Sequence, residues 1–332
     1  DSPNLFTLIY YYHNSQLKLW NLIRYWFYIL KGYHYINKVQ GLPQVVHVHI
    51  LTRLGLFAWL LKLIYNIPYI ITEHWSRYHK IPGTYNGWAR KKLSRFIVKH
   101  AHAILPVSKN LEEAMKSHGL KNRNYQIIPN AVDDLFFNLP QTKKESEKTI
   151  FLHVSTFEDR SKNISGLLRV IKNLAYQEEN FEFWMVGEGI DFQSLQDYAI
   201  SINILSEQVQ FFGLRQGKSL AELYYKANYL ILFSNFENIP VVINEAFACG
   251  LPVIATNVGG IPEFINSTNG YLVPPKDEGQ LETLLHQIIK DKPLFNSTEI
   301  QKKARLAYSF DEIGELLDQV YFRCLQISRG DD

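Results

Sequence analysis

Two glutamates eight positions apart, Glu237 and Glu245, flank a proline in the otherwise apolar stretch SNFENIPVVINEAFACG, Ser234 to Gly250. The stretch follows the apolar run YLILFS, and Pro240 suits the first turn of a helix, where its missing N–H has no partner to lose. Asn238 is the expected N-cap. If one helix carried both acids, Glu237 at the turn and Glu245 some two turns on would lie roughly 10 Å apart along the axis. That span reaches from a sugar ring across a diphosphate to a ribose, with the free amides of the helix start meeting the phosphates between them. The plainer alternative is that Glu237 caps the helix and Glu245 is solvated.

A second anion-binding candidate is VSTFEDRSKNISGLL. Arg160 and Lys162 lie in the loop that follows the strand pattern Ile150–Ser155, and Asn163 is the expected cap of the next helix. Two cations there could stabilise charge growing on a leaving diphosphate, or could simply be solvated. Gly187 and Gly189 in MVGEGID, and Gly259 and Gly260 in TNVGGIPE, permit close backbone approach after a strand, although a turn needs no ligand. Asn130 ends the run IIPNAVD, and Ser108 and Asn110 stand at a strand end and helix start. Glu73 and His74 follow a buried strand; His74 is either a donor to a sugar hydroxyl or phosphate, or a satisfied structural histidine. His47 and His49 share one strand face. With no third ligand beside them and no compact Asp-x-Asp pair, chemistry without a metal or other cofactor is expected.

These residues need a scaffold that delivers strand ends to one place. Short β-branched runs alternate with helical patterns throughout, which predicts parallel βαβ layering. Strands are expected at Val45–Ile50, Tyr69–Thr72, Ala103–Val107, Gln126–Pro129, Ile150–Ser155, Phe183–Gly187, Val209–Gly213, Tyr229–Ser234, Pro252–Thr256 and Tyr271–Val273. Helices are expected at Leu54–Tyr65, Ile164–Ala175, Ser219–Ala227 and Gly279–Ile289. The polar run LPQTKKESEK reads as a linker, and 332 residues exceed what one core usually serves. The expectation is two doubly wound, Rossmann-like α/β domains, 1–140 and 141–310, facing a central cleft in which ligands bind beyond the carboxyl ends of the strands.

Composition narrows the partners. Residues 1–140 hold 17 Lys and Arg against 6 Asp and Glu, a net +11, while the remainder holds 18 against 26, a net −8. An anionic partner for the first half follows. Its basic residues are interleaved with Trp and Phe in LKLWNLIRYWFYILKGYHYINK and NGWARKKLSRFIVKH, which fits either helices lying on an anionic membrane surface or ordinary helices packing one face on a sheet. No nucleic-acid reader motif is present, so nucleic acid is not the expected partner. Two cysteines in no paired spacing fit a reducing compartment, and neither a secretory signal nor an apolar run of spanning length is visible. A cytoplasmic location follows, with the inner face of the cell membrane as the expected peripheral site.

Taken together, the stretches TEHWSRY, PVSKNL, IIPNAVD, VGEGID and FFGLR, followed by FENIPVVINEAFACGLPVIATNVGGIPE, resemble the family 4 glycosyltransferases of GT-B fold, with the Glu-x7-Glu donor signature in its ENxP variant. The resemblance runs from about residue 44 to the end. It implies that Glu237 contacts the donor sugar and Glu245 the ribose, and that the backbone around Ile239, Val241 and Val242 holds sugar and diphosphate. It further implies that Arg160 and Lys162 neutralise the leaving phosphates, His74 faces the reacting sugar, and Leu214 and Arg215 border the base. The final helix, 311–332, is similar to the family segment that crosses back toward the first domain. Ser155-Thr156 stands where the family usually has Gly-Arg, and the family's opening strand, glycine-rich loop and helix find no counterpart before residue 1, which implies an N-terminally incomplete chain.

The implied activity is retaining transfer of a sugar from a nucleotide-diphosphate sugar to an acceptor hydroxyl on a glycan or lipid-linked acceptor, as in surface polysaccharide or lipopolysaccharide synthesis. A nucleotide-sugar epimerase of the same fold, or a non-catalytic sugar-nucleotide-binding protein, is the alternative.

Overall fold

Runs that are apolar on both faces make strands that must be covered on both sides, and such strands build two parallel sheets here. The structure, a computed structural model, describes residues 7–11, 16–51, 53–79, 85–139, 148–178, 180–204, 207–237 and 240–329. In the first lobe α1 (Lys18–Gln40) precedes β1 (Val46–His49), α2 (Arg53–Tyr65), β2 (Tyr69–Glu73), α3 (Trp88–His100), β3 (Ala103–Pro106) and α4 (Lys109–Ser117); the short helix α5 (Leu135–Asn138) follows and buries Phe136 and Phe137 in the core of the second lobe. The strands pair in parallel in the order β1-β2-β3. All five residues of the central strand β2 are buried, as its YIITE sequence requires of a strand with helices on both faces.

The expected strand Gln126–Pro129 is not one. Its backbone runs beside β3, with the amides of Gln126 and Ile128 donating to the carbonyls of Ile104 and Pro106, but Pro106 has no N–H to return. The ladder stops at an isolated bridge between Ile104 and Tyr125.

The second lobe contains β4 (Thr149–Val154), α6 (Asp159–Lys162), α7 (Ile164–Ala175), β5 (Phe181–Val186), α8 (Phe192–Ser201), β6 (Val209–Gly213) and α9 (Gly217–Lys226). It continues with β7 (Tyr229–Leu232), α10 (Val241–Ala248), β8 (Val253–Thr256), β9 (Gly270–Val273), α11 (Glu278–Asp291) and α12 (Ser297–Tyr308). Its six parallel strands lie in the order β6-β5-β4-β7-β8-β9. The chain starts at the centre, winds outward through β5 and β6, and then returns to β7 on the other side of β4. The winding direction reverses between β4 and β7, and an open α/β sheet binds its ligand in the crevice at such a switch point. Helix α7 illustrates the packing: Ile164, Leu167, Leu168, Ile171 and Leu174 recur at helical spacing and are fully buried against the sheet.

The last helix, α13 (Phe310–Arg329), leaves the second lobe at Ser309, whose extended backbone breaks the helix. Ile313, Val320 and Cys324 pack on Ile70, Ala103, Leu105 and Ile128 of the first lobe. The chain has already entered the second lobe at Val132, which packs in its core and whose amide donates to the Tyr308 carbonyl at 2.8 Å.

Candidate functional site

The loops that leave β4 and β7 meet at the switch point. Lys162, the last residue of α6, places its ammonium 2.6 Å from Oε1 of Glu237, and the Ser234 hydroxyl donates to the same oxygen at 2.8 Å. The two side chains are only 16% and 7% exposed. The backbones are tied as well: the amides of Asn235 and Phe236 donate to the Ser161 carbonyl, and the Asn235 side chain donates to the carbonyl of Arg160. One platform therefore forms from two segments 75 residues apart. Arg160 is exposed at its edge, and its guanidinium makes no hydrogen bond or ion pair among the described residues. Asn163 does not cap α7 with its side chain; it takes a left-handed backbone (φ 50°). Asp159 does the work expected of it, accepting from the amide and hydroxyl of Ser165.

Beneath the platform lies His153, fully buried in the central strand. Its Nδ1–H donates to the Ile231 carbonyl at 2.9 Å, so its Nε2 accepts from the Ser155 hydroxyl at 2.8 Å. Burial first, and the nearby Lys162 charge to a lesser degree, hold its pKa down to about 4. The ring is neutral.

Glu245 lies in the second turn of α10, whose helical residues begin at Val241. Glu237 stands four residues ahead of that start, so the rise from Val241 to Glu245 is about 6 Å and the single-helix spacing expected from sequence does not apply. The Glu245 carboxylate accepts from the Tyr224 hydroxyl at 2.9 Å, and burial raises its pKa despite that bond. Val241 and Val242 open α10, where backbone amides have no partner within the helix. The expected cap Asn238 and the neighbouring Ile239 lie outside the described residues.

Leu214 and Arg215 are exposed just after β6, two strands from β4 and so about 10 Å along the sheet. The Arg215 guanidinium folds onto the Leu214 carbonyl at 3.1 Å. Gly187, at φ 134°, sits so close to the Ser155 carbonyl that a Cβ would come within 1.9 Å. It permits the close approach of two strand ends.

The opposite wall comes from the first lobe. His74 follows β2 and hydrogen-bonds Asn130, which joins two of the expected site residues. Its Nε2 is 3.4 Å from Nδ1 of His49, with the rings stacked at 10°, and His49 stacks in turn on His47 at 4.4 Å. The third histidine that the sequence did not place beside the HVH pair is thus present, but in a stack. Both nitrogens of His47 are engaged, by Tyr321 of α13 at 2.7 Å and by Thr72 at 2.6 Å. Among the described residues no group of three His, Cys, Asp or Glu is arranged to hold a metal ion. Burial, then the neighbouring histidines, holds His47 down to about 4 and lowers His49, while burial lowers His74.

Glu73 anchors this wall. Fully buried, its carboxylate accepts from the amides of Leu51, His74 and Trp75 and from the Tyr78 hydroxyl. The two walls face each other across a cleft. Glu263, after β8, reaches over to accept from the amides of Lys109 and Asn110 at the start of α4.

Sequence reading missed the parts played by Glu73, His153, Ser234, Tyr224 and Glu263. A signal existed for three of them: His153 in TIFLHV and Glu73 ending YIITE are a histidine and a carboxylate inside buried strands, and Ser234 stands three residues before Glu237. Tyr224 acts through a contact that no local pattern encodes.

Residues 136–306 match the family described as "Glycosyl transferases group 1", and residues 6–134 match "Glycosyltransferase Family 4". N-acetyl-alpha-D-glucosaminyl L-malate synthase of Bacillus anthracis is 25% identical over 295 residues, covering 85% of this chain and 75% of that protein. Lipopolysaccharide 1,6-galactosyltransferase of Escherichia coli K12 is 27% identical over 202 residues, 58% of this chain and 55% of that one. Among solved structures, sucrose-phosphate synthase from Thermosynechococcus elongatus superposes with a TM-score of 0.75 at 22% identity, covering 94% of this chain and 80% of that chain. Anabaena HepE in complex with UDP and glucose gives 0.73 at 16%, covering 93% and 84%.

Proposed function

The chain belongs to the group 1 glycosyl transferases, glycosyltransferase family 4, with a GT-B fold, and from that premise we propose that it moves a glycosyl unit from a nucleotide-diphosphate sugar to an acceptor hydroxyl with retention at the anomeric carbon. The observation that carries the reading is the Lys162–Glu237 pair at the switch point. Glu237 accepts hydrogen bonds from the donor sugar, and Lys162, Arg160 and the first amides of α10 face the diphosphate. Glu245, steadied by Tyr224, takes the ribose hydroxyls, and Leu214 and Arg215 border the base.

The acceptor oxygen attacks the anomeric carbon on the face from which the diphosphate departs. The carbon–oxygen bond to phosphate breaks as the new glycosidic bond forms, and the acceptor's proton passes to the departing phosphate. His74 and Asn130 orient the reacting sugar from the opposite wall. Positioning and charge stabilisation supply the rate, and the reading asks for no metal or cofactor beyond the donor.

Uridine diphosphate sugars are the first donors to test, since HepE structures hold UDP and UDP-glucose. The E. coli relative's action on lipopolysaccharide supports an acceptor in a surface glycan. Incubation with UDP-, GDP- and ADP-sugars separates the outcomes: sugar transfer supports the reading, an epimerised sugar without acceptor supports the epimerase, and binding without turnover supports a binding protein. Changing Lys162→Ala is expected to lower turnover about 100- to 1,000-fold. Turnover close to that of the unaltered chain would overturn the assignment.

A further inference from the structure

From residue 2 to residue 111 the sequence carries 14 Lys and Arg and one acidic residue, Glu73. Glu73 is fully buried. No carboxylate of this long stretch therefore reaches solvent, and its outer surface is a field of one sign. On α1 that surface is also apolar. Leu19, Trp20, Ile23, Phe27 and Leu30 recur at helical spacing on one face and are each 49–68% exposed. Arg24 and Lys31 stand four residues after Trp20 and Phe27, on the flank of the stripe. Helices α2 and α3 extend the layer: Tyr33 of α1 packs on Phe57 of α2 at 5.5 Å, and Trp59 of α2 on Phe96 of α3 at 5.0 Å. On α3, Trp88 is 77% exposed with the Lys92 ammonium over its ring at 5.2 Å, and Arg90, Arg95 and Lys99 are exposed beside it.

We propose that this face of the first lobe docks on a bilayer rich in anionic lipid, with Trp20 and Phe27 entering the headgroup region and the cations of α1 and α3 meeting the lipid phosphates. Two observations choose the occupant. A second copy of the chain would cover the stripe but would set one positive field against another. A nucleic acid would answer the charge but leave the apolar stripe with nothing to bury it. A bilayer with anionic headgroups satisfies both. No helix among the described residues is long and apolar enough to cross a membrane, so α1 lies in the interface. If the chain transfers glycosyl units as proposed, docking brings the cleft to an acceptor carried on a lipid.

The test is co-sedimentation of the full chain with vesicles of phosphatidylcholine alone and of phosphatidylcholine with about one-third phosphatidylglycerol. Binding to the mixed vesicles at about 0.1 M salt, released near 1 M, is expected. Phe27→Glu is expected to abolish it, and Lys92→Glu and Lys99→Glu to weaken it at least about fivefold each. These residues lie outside the transfer machinery, so release of nucleoside diphosphate from donor with a soluble acceptor stays unchanged. Equal binding to neutral vesicles, no binding at all, or light scattering that shows a stripe-dependent dimer without lipid would overturn the proposal. A thermal shift with UDP-sugars, run in parallel, separates its failure from failure of the transfer reading: either can fail while the other stands.

Discussion

Asn244 stands beside Glu245, fully buried, with neither its oxygen nor its nitrogen hydrogen-bonded among the described residues. An unsatisfied buried amide costs about 1–3 kcal/mol, so Asn244→Leu, similar in volume, is expected to raise stability by about that much in urea unfolding. Glu73 is the reverse case, with four donors on one carboxylate. Glu73→Gln turns one acceptor into a donor that faces N–H groups, and is expected to cost about 1–3 kcal/mol and to lower kcat more than it changes donor KM, because His74 and Trp75 lose their anchor. At this scale the sequence was legible where chemistry sits at strand ends. Lys162, Glu237 and His74 were placed by that rule, and Asn130 joined His74 through a hydrogen bond. It was illegible where one side chain serves another from a distant segment: Tyr224 holds Glu245 through a contact set by packing alone.

Among elements, α7 follows its sequence pattern to the residue, because its apolar spacing has one solution against a sheet. Gln126–Pro129 does not, because strand status depends on the partner, and Pro106 withholds a donor that no reading of 126–129 alone reveals. The loop at the end of β4 was legible as a cationic turn, whereas its cap passed from Asn163 to Asp159 through a left-handed residue. Two strand histidines carry a pH dependence. His47 in β1 and His153 in β4 both have pKa values near 4 in the folded chain, against about 6.5 when unfolded. Between those values the unfolded chain binds more protons, so stability falls as pH is lowered from 6.5 toward 4. His153, wholly buried, contributes up to about 3 kcal/mol of that loss. Thermal melts over this range should show it, and His153→Gln should flatten the slope; an unchanged slope would assign the dependence elsewhere.

The whole molecule is two parallel sheets whose carboxyl ends oppose each other, and that much was foreseeable from alternating strand and helix patterns. The strand order that puts the switch point between β4 and β7 was not, since pairing partners are chosen in three dimensions. Glu263 now reaches across the opening to cap α4 with two hydrogen bonds, the kind of contact that holds lobes closed. Glu263→Ala is expected to raise the radius of gyration measured by X-ray scattering and to raise donor KM, with little loss of melting temperature. The return of α13 has a bearing on how the protein could be divided. Its Ile313, Val320 and Cys324 are the lid over Ile70, Ala103 and Leu105, so a fragment ending at Ala131 would expose greasy strand surface and precipitate. Splicing residues 310–329 onto that fragment should return it to solution, whereas the second half without α13 must keep Val132, Phe136 and Phe137, which belong to its own core. In evolutionary terms, neither half can be exchanged with a relative's unless the tail travels with the partner it covers.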